Sequence, residues 1–303
     1  MKRARRWVAG IAVLIATGSC IEPRPMVVAA IARPAPTAPT APEAPPGNFL
    51  LRGSLSQGGM AIGTVPAGTV ALTLDGMAVP IAPDGMFLIG FDRDAGPAAT
   101  LDATRRDGTI VSGALTIAPR AWTISRLATL PKYPVPPADF DRLRPGEIAQ
   151  INAARRVESG STGWRQPLLW PATGRISTLF GSQRIYRNGE AGSYHSGIDV
   201  AVPAGTAVLA PADGVVILAS DHPFLLEGNL LMIDHGMGLN SALMHLSRIV
   251  VTTGQAVRRG QVVAYSGATG RVTGAHLHWS LRWRGAKIDP LLVAGPMPGA
   301  NRQ

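Results

Sequence analysis

The sequence predicts a mostly β protein: a small N-terminal β domain, a connecting helix and a larger C-terminal β-rich domain. Three observations predict it. Asp-Gly pairs stand between apolar runs in the first half, a good hairpin signal. One segment near the middle repeats its apolar residues at helical spacing. Beyond it, short apolar stretches and glycine-rich turns resume, and they hold all six histidines. A chain of 303 residues has room for about two domains.

The first element, residues 1–20, reads as an export signal. Lys2, Arg3, Arg5 and Arg6 precede an apolar stretch from Trp7 to about Ala16, followed by small residues. The stretch is shorter than the roughly 20 residues a bilayer span needs, and Glu22, Pro23 and Arg24 prevent its extension. Cys20 stands where the signal would be cut. "TGSC" resembles a bacterial lipoprotein box, with Thr17 where leucine is usual. That resemblance implies an acylated Cys20 and attachment to a membrane. Cys20 is the sole cysteine, so an internal disulfide and a thiolate zinc cluster are both excluded. Any metal site must use histidine and carboxylate.

Residues 21–47 contain "RPAPTAPTAPEAPPG", a Pro/Ala/Thr tract expected to be an extended spacer. Residues 48–122 form the expected small β domain. "ALTLDGMAVPIA" and "ATRRDGTIVSGALTIA" supply two hairpins, and "GMFLIGF" a further strand. It has no histidine and no ionisable cluster, which suits a packing or spacing module. Residues 123–165 are expected to be linker and helix. The helix is placed at 145–159, on the spacing of Ile148, Ile151 and Ala154 with Gly160 behind it.

From residue 166 to 292 the chain is β-rich again, and 293–303 is a tail. "TAVLAPADGVVILAS" reads as a hairpin on Asp213-Gly214. "NLLMIDHG", "NSALMHLS", "QVVAYSG" and "HLHWSLRW" are further strands. The net charge of +10 comes mostly from scattered arginine, which attracts polyanions in general. No basic and aromatic motif of a nucleic-acid module accompanies it, so no nucleic-acid partner is expected. Nothing in the sequence reports the oligomeric state.

The histidines carry the chemistry. "GAHLHWS" puts His276 and His278 on one face of a strand, since alternate side chains share a face. "YHSGIDVAVPAG" holds His195 and Asp199 in a loop running into a strand. Fully extended, they would stand about 13 Å apart. A bend at Ser196-Gly197 would bring them together as half of a metal site. His278 can supply a third ligand, giving two imidazoles, one carboxylate and an open position, the pattern of catalytic zinc. His276 would then lie beside the metal without binding it, and His245 in "ALMHLS" is a second residue for that role. Two unligated imidazoles there can handle protons. His235 is read as structural and His222 as surface.

"HSGID", "MHLS" and "GAHLHW", with the spacer "GQAVRRGQVVAYSGATGRVTGAHLHW", resemble the signatures of the lysostaphin-type (LytM-type) zinc metallopeptidases over about residues 166–292. The resemblance implies a compact antiparallel β domain with zinc in a groove. It implies one Zn2+ on His195, Asp199 and His278, and His245 with His276 as the catalytic pair. It also implies hydrolysis of peptide bonds in bacterial peptidoglycan, within the cell envelope. The polar loop "GSQRIYRNGEAGSYHSG" falls where loops of that family line the groove. The rival reading is a non-catalytic relative that regulates another wall hydrolase. Members of that kind lack one or more of the five residues, and this chain has all five.

Overall fold

The computed structural model describes residues 47–127, 133–186 and 189–298. The export signal, Cys20 and the Pro/Ala/Thr tract lie outside the described residues. So do residues 299–303 of the tail.

The first strands are β1 (Leu50–Gly53), β2 (Met60–Thr64), β3 (Thr69–Leu74), β4 (Met77–Val79), β5 (Met86–Gly90), β6 (Ala98–Arg105) and β7 (Ile110–Thr116). They form a three-stranded sheet, β1-β2-β5, and a four-stranded sheet, β4-β3-β6-β7. Both expected hairpins are present. Asp75 and Gly76, at φ of +48° and +77°, connect Leu74 to its partner Met77. Two consecutive left-handed residues make the turn whose twist matches paired strands, and Asp-Gly tolerates it. Between β6 and β7 the Asp107 carboxylate accepts the Thr109 amide and hydroxyl, and Gly108 takes φ of +83°.

Then come β8 (Ile124–Leu127), α1 (Pro137–Arg155), a 3-10 turn at Gly163–Arg165, β9 (Arg175–Thr178) and β10 (Gln183–Tyr186). The helix begins eight residues before the expected start at 145 and ends at Arg155, not 159. Pro137 opens it in its first turn, where no amide donor is needed. Pro145, which looked like a boundary, lies inside. Its buried stripe is Glu147, Ile151 and Ala154, while Ile148 is 43% exposed. Glu147 can face inward because Arg144 donates to it at 2.8 Å and the Leu225 amide at 2.6 Å. Ile151 and Ala154 pack with Ile217, Phe224, Leu230, Met232 and Ala242.

The remaining elements are β11 (Ile198–Ala201), β12 (Ala207–Leu209), β13 (Gly214–Ala219), β14 (Asn229–Gly236), β15 (Leu239–Ile249), β16 (Ala256–Val257), β17 (Val262–Ser266), β18 (Leu277–Trp283), β19 (Ala286–Ile288) and α2 (Pro290–Ala294). The main path of the large sheet runs β16-β13-β14-β15-β18-β11-β9, with every pair antiparallel. The one parallel pair among the named strands is β8 with β10. The expected hairpin on Asp213-Gly214 does not exist: β12 pairs with β17, while β13 pairs with β14 and β16. Asp213 instead fastens neighbouring segments, accepting from the Arg259 amide at 2.7 Å and the Gln166 side chain at 2.8 Å. Gly214 is there for close approach, since a Cβ would stand 2.5 Å from Ile233 and 2.6 Å from the Asp234 carbonyl.

Strand β18 positions the site. Leu277, Trp279, Leu281 and Trp283 are at most 1% exposed and point to the core. His278 stands on the opposite face. Each such buried side chain contributes roughly 1.5–3 kcal/mol. A one-residue slip would take all four out of the core and turn His278 into it. The same core continues into the first strands through Phe87, Leu88 and Leu101. Arg165 pairs with Asp84, and Arg120 with Asp289, at 2.8 Å each. No helix among the described residues is long and apolar enough to cross a membrane.

Candidate metal centre and cleft

His195 lies in the loop before β11 and is fully buried. Its Nδ1 lies 3.1 Å from the Leu179 carbonyl, an acceptor only, so Nδ1 carries the proton and donates. Its Nε2 is left with a lone pair, 3.0 Å from Asp199 Oδ1 and 3.0 Å from His278 Nδ1. The bend expected at Ser196-Gly197 makes this possible. Asp199 sits in β11 opposite His278 in β18, and their Oδ1 and Nδ1 are 2.8 Å apart. Gly197 is required sterically: a Cβ there would stand 2.4 Å from the Trp279 carbonyl and 2.6 Å from His278 Nε2.

The three residues each offer one ligand atom, all within 4.8 Å of one another. Two donors about 2.0–2.1 Å from a tetrahedral zinc would stand about 3.3 Å apart, close to the 2.8–3.0 Å seen here. Burial alone pushes the Asp199 carboxyl up, but His195 and His278 outweigh it and hold it well below the usual range. Burial lowers His278 to about 4, against the hydrogen bond to Asp199 that raises it. A carboxylate oxygen and two imidazole nitrogens, His195 Nε2 and His278 Nδ1, thus face one point as electron-pair donors. A divalent cation satisfies such a set, and the residues fit zinc.

His245 is delivered by an irregularity in β15. Leu243 pairs with Leu231 and Leu246 with Asn229, so three steps on β15 answer two on β14. That bulge re-aims a side chain. His245 takes φ of +61°, unusual for a residue with a Cβ. Its amide donates to the Glu227 carbonyl at 2.8 Å, which holds the conformation. Glu227 is in turn clamped by Arg144 of α1, at 2.6 and 2.7 Å. His245 Nδ1 donates to the Thr269 carbonyl at 2.9 Å, leaving Nε2 as an acceptor. Burial, with His278 and His276 adding to it, lowers its pKa to about 3.

His276 precedes β18, and its Nδ1 donates to the Gly274 carbonyl at 2.9 Å. Its Nε2 is 3.6 Å from Asp199 Oδ1, and its ring lies 4.8 Å from that of His245. Asp199, His245, His276 and His278 all line one cleft, with Arg184 of β10 and Arg271 among its other walls. Neither arginine was singled out in the sequence. The one signal was the polar loop beginning at Gly181, in which Arg184 stands.

The remaining histidines lie elsewhere. His235 is buried, its Nδ1 donating to the Asp213 carbonyl at 2.9 Å while its Nε2 accepts from the Ser241 hydroxyl at 2.8 Å. Burial lowers its pKa. His222 is exposed beside Asp221.

The model of Peptidase family M23 matches residues 193–290, the segment that contains all five site residues. Peptidoglycan DD-endopeptidase ShyA of Vibrio cholerae is 42% identical over 123 residues, 41% of this chain and 28% of the relative. DD-carboxypeptidase/endopeptidase Mpg of Neisseria meningitidis is 39% identical over 133 residues, 44% and 29% of the two chains. The matched segments thus span less than a third of these curated relatives. A crystal structure of a putative M23 peptidase from Pseudomonas aeruginosa superposes with a TM-score of 0.61 at 29% identity, covering 79% of this chain and 94% of that one. Residues 193–290 are therefore a peptidase family M23 domain.

Proposed function

We propose that the chain is a zinc metalloendopeptidase that hydrolyses peptide bonds in bacterial peptidoglycan. The observation that carries this is the convergence of two proton-accepting imidazoles on a buried His-Asp-His donor set. His195, Asp199 and His278 would hold the zinc, and His245 with His276 would be the catalytic pair. A zinc ion supplies, when bound, Lewis-acid chemistry: activation of water at neutral pH and polarisation of the scissile carbonyl. The histidines do the rest. His245 and His276 keep their Nδ1 protons on backbone carbonyls, so each Nε2 is free to take a proton from water and pass it to the departing amide nitrogen. The wall substrate is supported by the relatives named as peptidoglycan DD-endopeptidases, which suggest a bond between two D-centres.

On this reading the protein works in the cell envelope, exported by its basic and apolar start and acylated at Cys20. Residues 48–122 modulate a catalytic domain at 166–292. The second reading, a regulator of another wall hydrolase, is disfavoured by the intact set of five residues.

The test is hydrolysis of purified peptidoglycan by the zinc-loaded chain, with mass spectrometry of the released muropeptides. Release that stops with a chelator and returns with zinc is expected. No release, together with stimulation of a second wall hydrolase, would establish the regulator instead.

A further inference from the structure

The cleft carries positive charge that hydrolysis alone does not need. Its walls include Arg184 and Arg271 beside the carboxylate of Asp199, and a divalent cation, when bound, would add two further charges. One oxygen of Asp199, Oδ1, already faces the imidazoles of His195 and His278.

Arg184 is partly buried, and its guanidinium takes part in no side-chain hydrogen bond or ion pair among the described residues. Arg144, also partly buried, is by contrast paired with both Glu147 and Glu227. Burial lowers the Arg184 pKa, the nearby charge of Arg271 lowers it further, and Asp199 partly offsets both. A guanidinium keeps its proton at any ordinary pH, so this part-buried wall of the cleft holds a cation without a side-chain ion pair of its own. Such a group is costly unless a partner arrives.

The geometry supports a fork. Arg184 and Tyr186 are alternate residues of β10 and share a face. The Tyr186 hydroxyl accepts from Arg271 Nη1 at 3.0 Å, which brings the second guanidinium to the same wall. Planar guanidinium groups match carboxylate in particular, through paired N–H donors.

Resting on the peptidase reading above, we infer that Arg184, with Arg271 beside it, binds a free carboxylate of the substrate next to the scissile amide. Arg184 is then a specificity-determining residue. It makes the cleft prefer peptides with an ionised carboxylate there over the same peptides amidated.

The test uses the zinc-loaded full chain carrying His276→Ala, so that ligand survives. Binding of L-Lys-D-Ala-D-Ala with a free C-terminus, and of its C-terminal amide, is measured by calorimetry. The free acid is expected to bind at least about 10-fold more tightly. Adding Arg184→Gln should bring the ratio to within about twofold, with zinc content and melting temperature unchanged, and Arg184→Lys should keep part of it. Equal affinities before substitution overturn the inference. So does a preference that survives Arg184→Gln, which would assign the carboxylate to the metal instead. In the otherwise unsubstituted chain, Arg184→Gln should lower kcat/KM on a cross-linked dimer with free carboxylates far more than on the amidated dimer. Equal losses on both dimers count against it. If the unsubstituted chain cleaves neither dimer, the peptidase reading fails, and the binding ratio still decides the role of Arg184.

Discussion

Gly197→Ala adds one methyl group at the tightest point of the metal centre. The new Cβ would lie 2.4 Å from the Trp279 carbonyl oxygen, 2.6 Å from His278 Nε2 and 2.9 Å from its Cε1. Ordinary contact begins near 3.4 Å, so something must move by about 0.8–1 Å. The strand cannot easily give. Trp279 is paired with Ile198 across β11 and its side chain is wholly buried, edge-on to Trp170. The His278 ring must therefore tilt, and its Nδ1 leaves the 2.8 Å approach to Asp199. Overpacking of this kind costs about 1–3 kcal/mol of stability. Mispositioning a ligand should cost about 10–100-fold in metal affinity, the range seen when the groups that orient ligands are lost. Competition with a chromophoric chelator measures the second, and thermal melting in excess chelator the first. Gly274→Ala is the control, because a Cβ there meets nothing within 4 Å. If Gly197→Ala binds zinc as tightly as the unsubstituted chain and melts with it, the steric reasoning is wrong.

Two further outcomes follow from the surroundings. Arg144→Ala leaves the buried Glu147 with only the Leu225 amide and strips the part-buried Glu227 of its ion pair, and should cost at most about 3–5 kcal/mol by urea denaturation. Because the Glu227 carbonyl holds the His245 amide, kcat should fall while zinc content stays stoichiometric; an unchanged kcat would show that α1 does not position His245. His235 has a folded-state pKa depressed by burial, so its contribution is intact above the unfolded value of about 6.5 and is lost as pH falls below it. Stability should therefore drop by up to about 1.4 kcal/mol per pH unit below 6.5 from this group. His235→Gln should show a shallower drop, and an identical slope in the two proteins would mean that His235 is not held neutral.

The parts of the fold legible in the sequence were those set by local chemistry. Asp75-Gly76 forms its hairpin because both residues accept positive φ. The alternation of "HLHWSLRW" is visible because core and cleft lie on opposite faces of one strand. Long-range pairing was not legible. Asp213-Gly214 has the same dipeptide, yet neighbouring strands claim both flanks and no hairpin forms. The helix start was hidden because Pro145 looks like a boundary, and because the burial of Glu147 depends in part on the Leu225 amide from another segment. Ile124–Leu127 gains its strand only by pairing in parallel with Gln183–Tyr186, far along the chain. At the site, the residue types of the five side chains could be read directly. The bulge that turns His245 inward and the arginines of the wall could not, since each depends on which strands become neighbours.

The central claim is a division of labour between His195, Asp199 and His278, which hold the metal, and His245 and His276, which handle protons. Metal content measured beside turnover on peptidoglycan, for purified His278→Ala and His276→Ala, tests it most directly. His278→Ala should lose zinc and activity together, because two ligands remain. His276→Ala should keep near-stoichiometric zinc while turnover falls about 100-fold or more, the range for losing a general acid–base group. Zinc lost from His276→Ala and retained by His278→Ala would contradict the account.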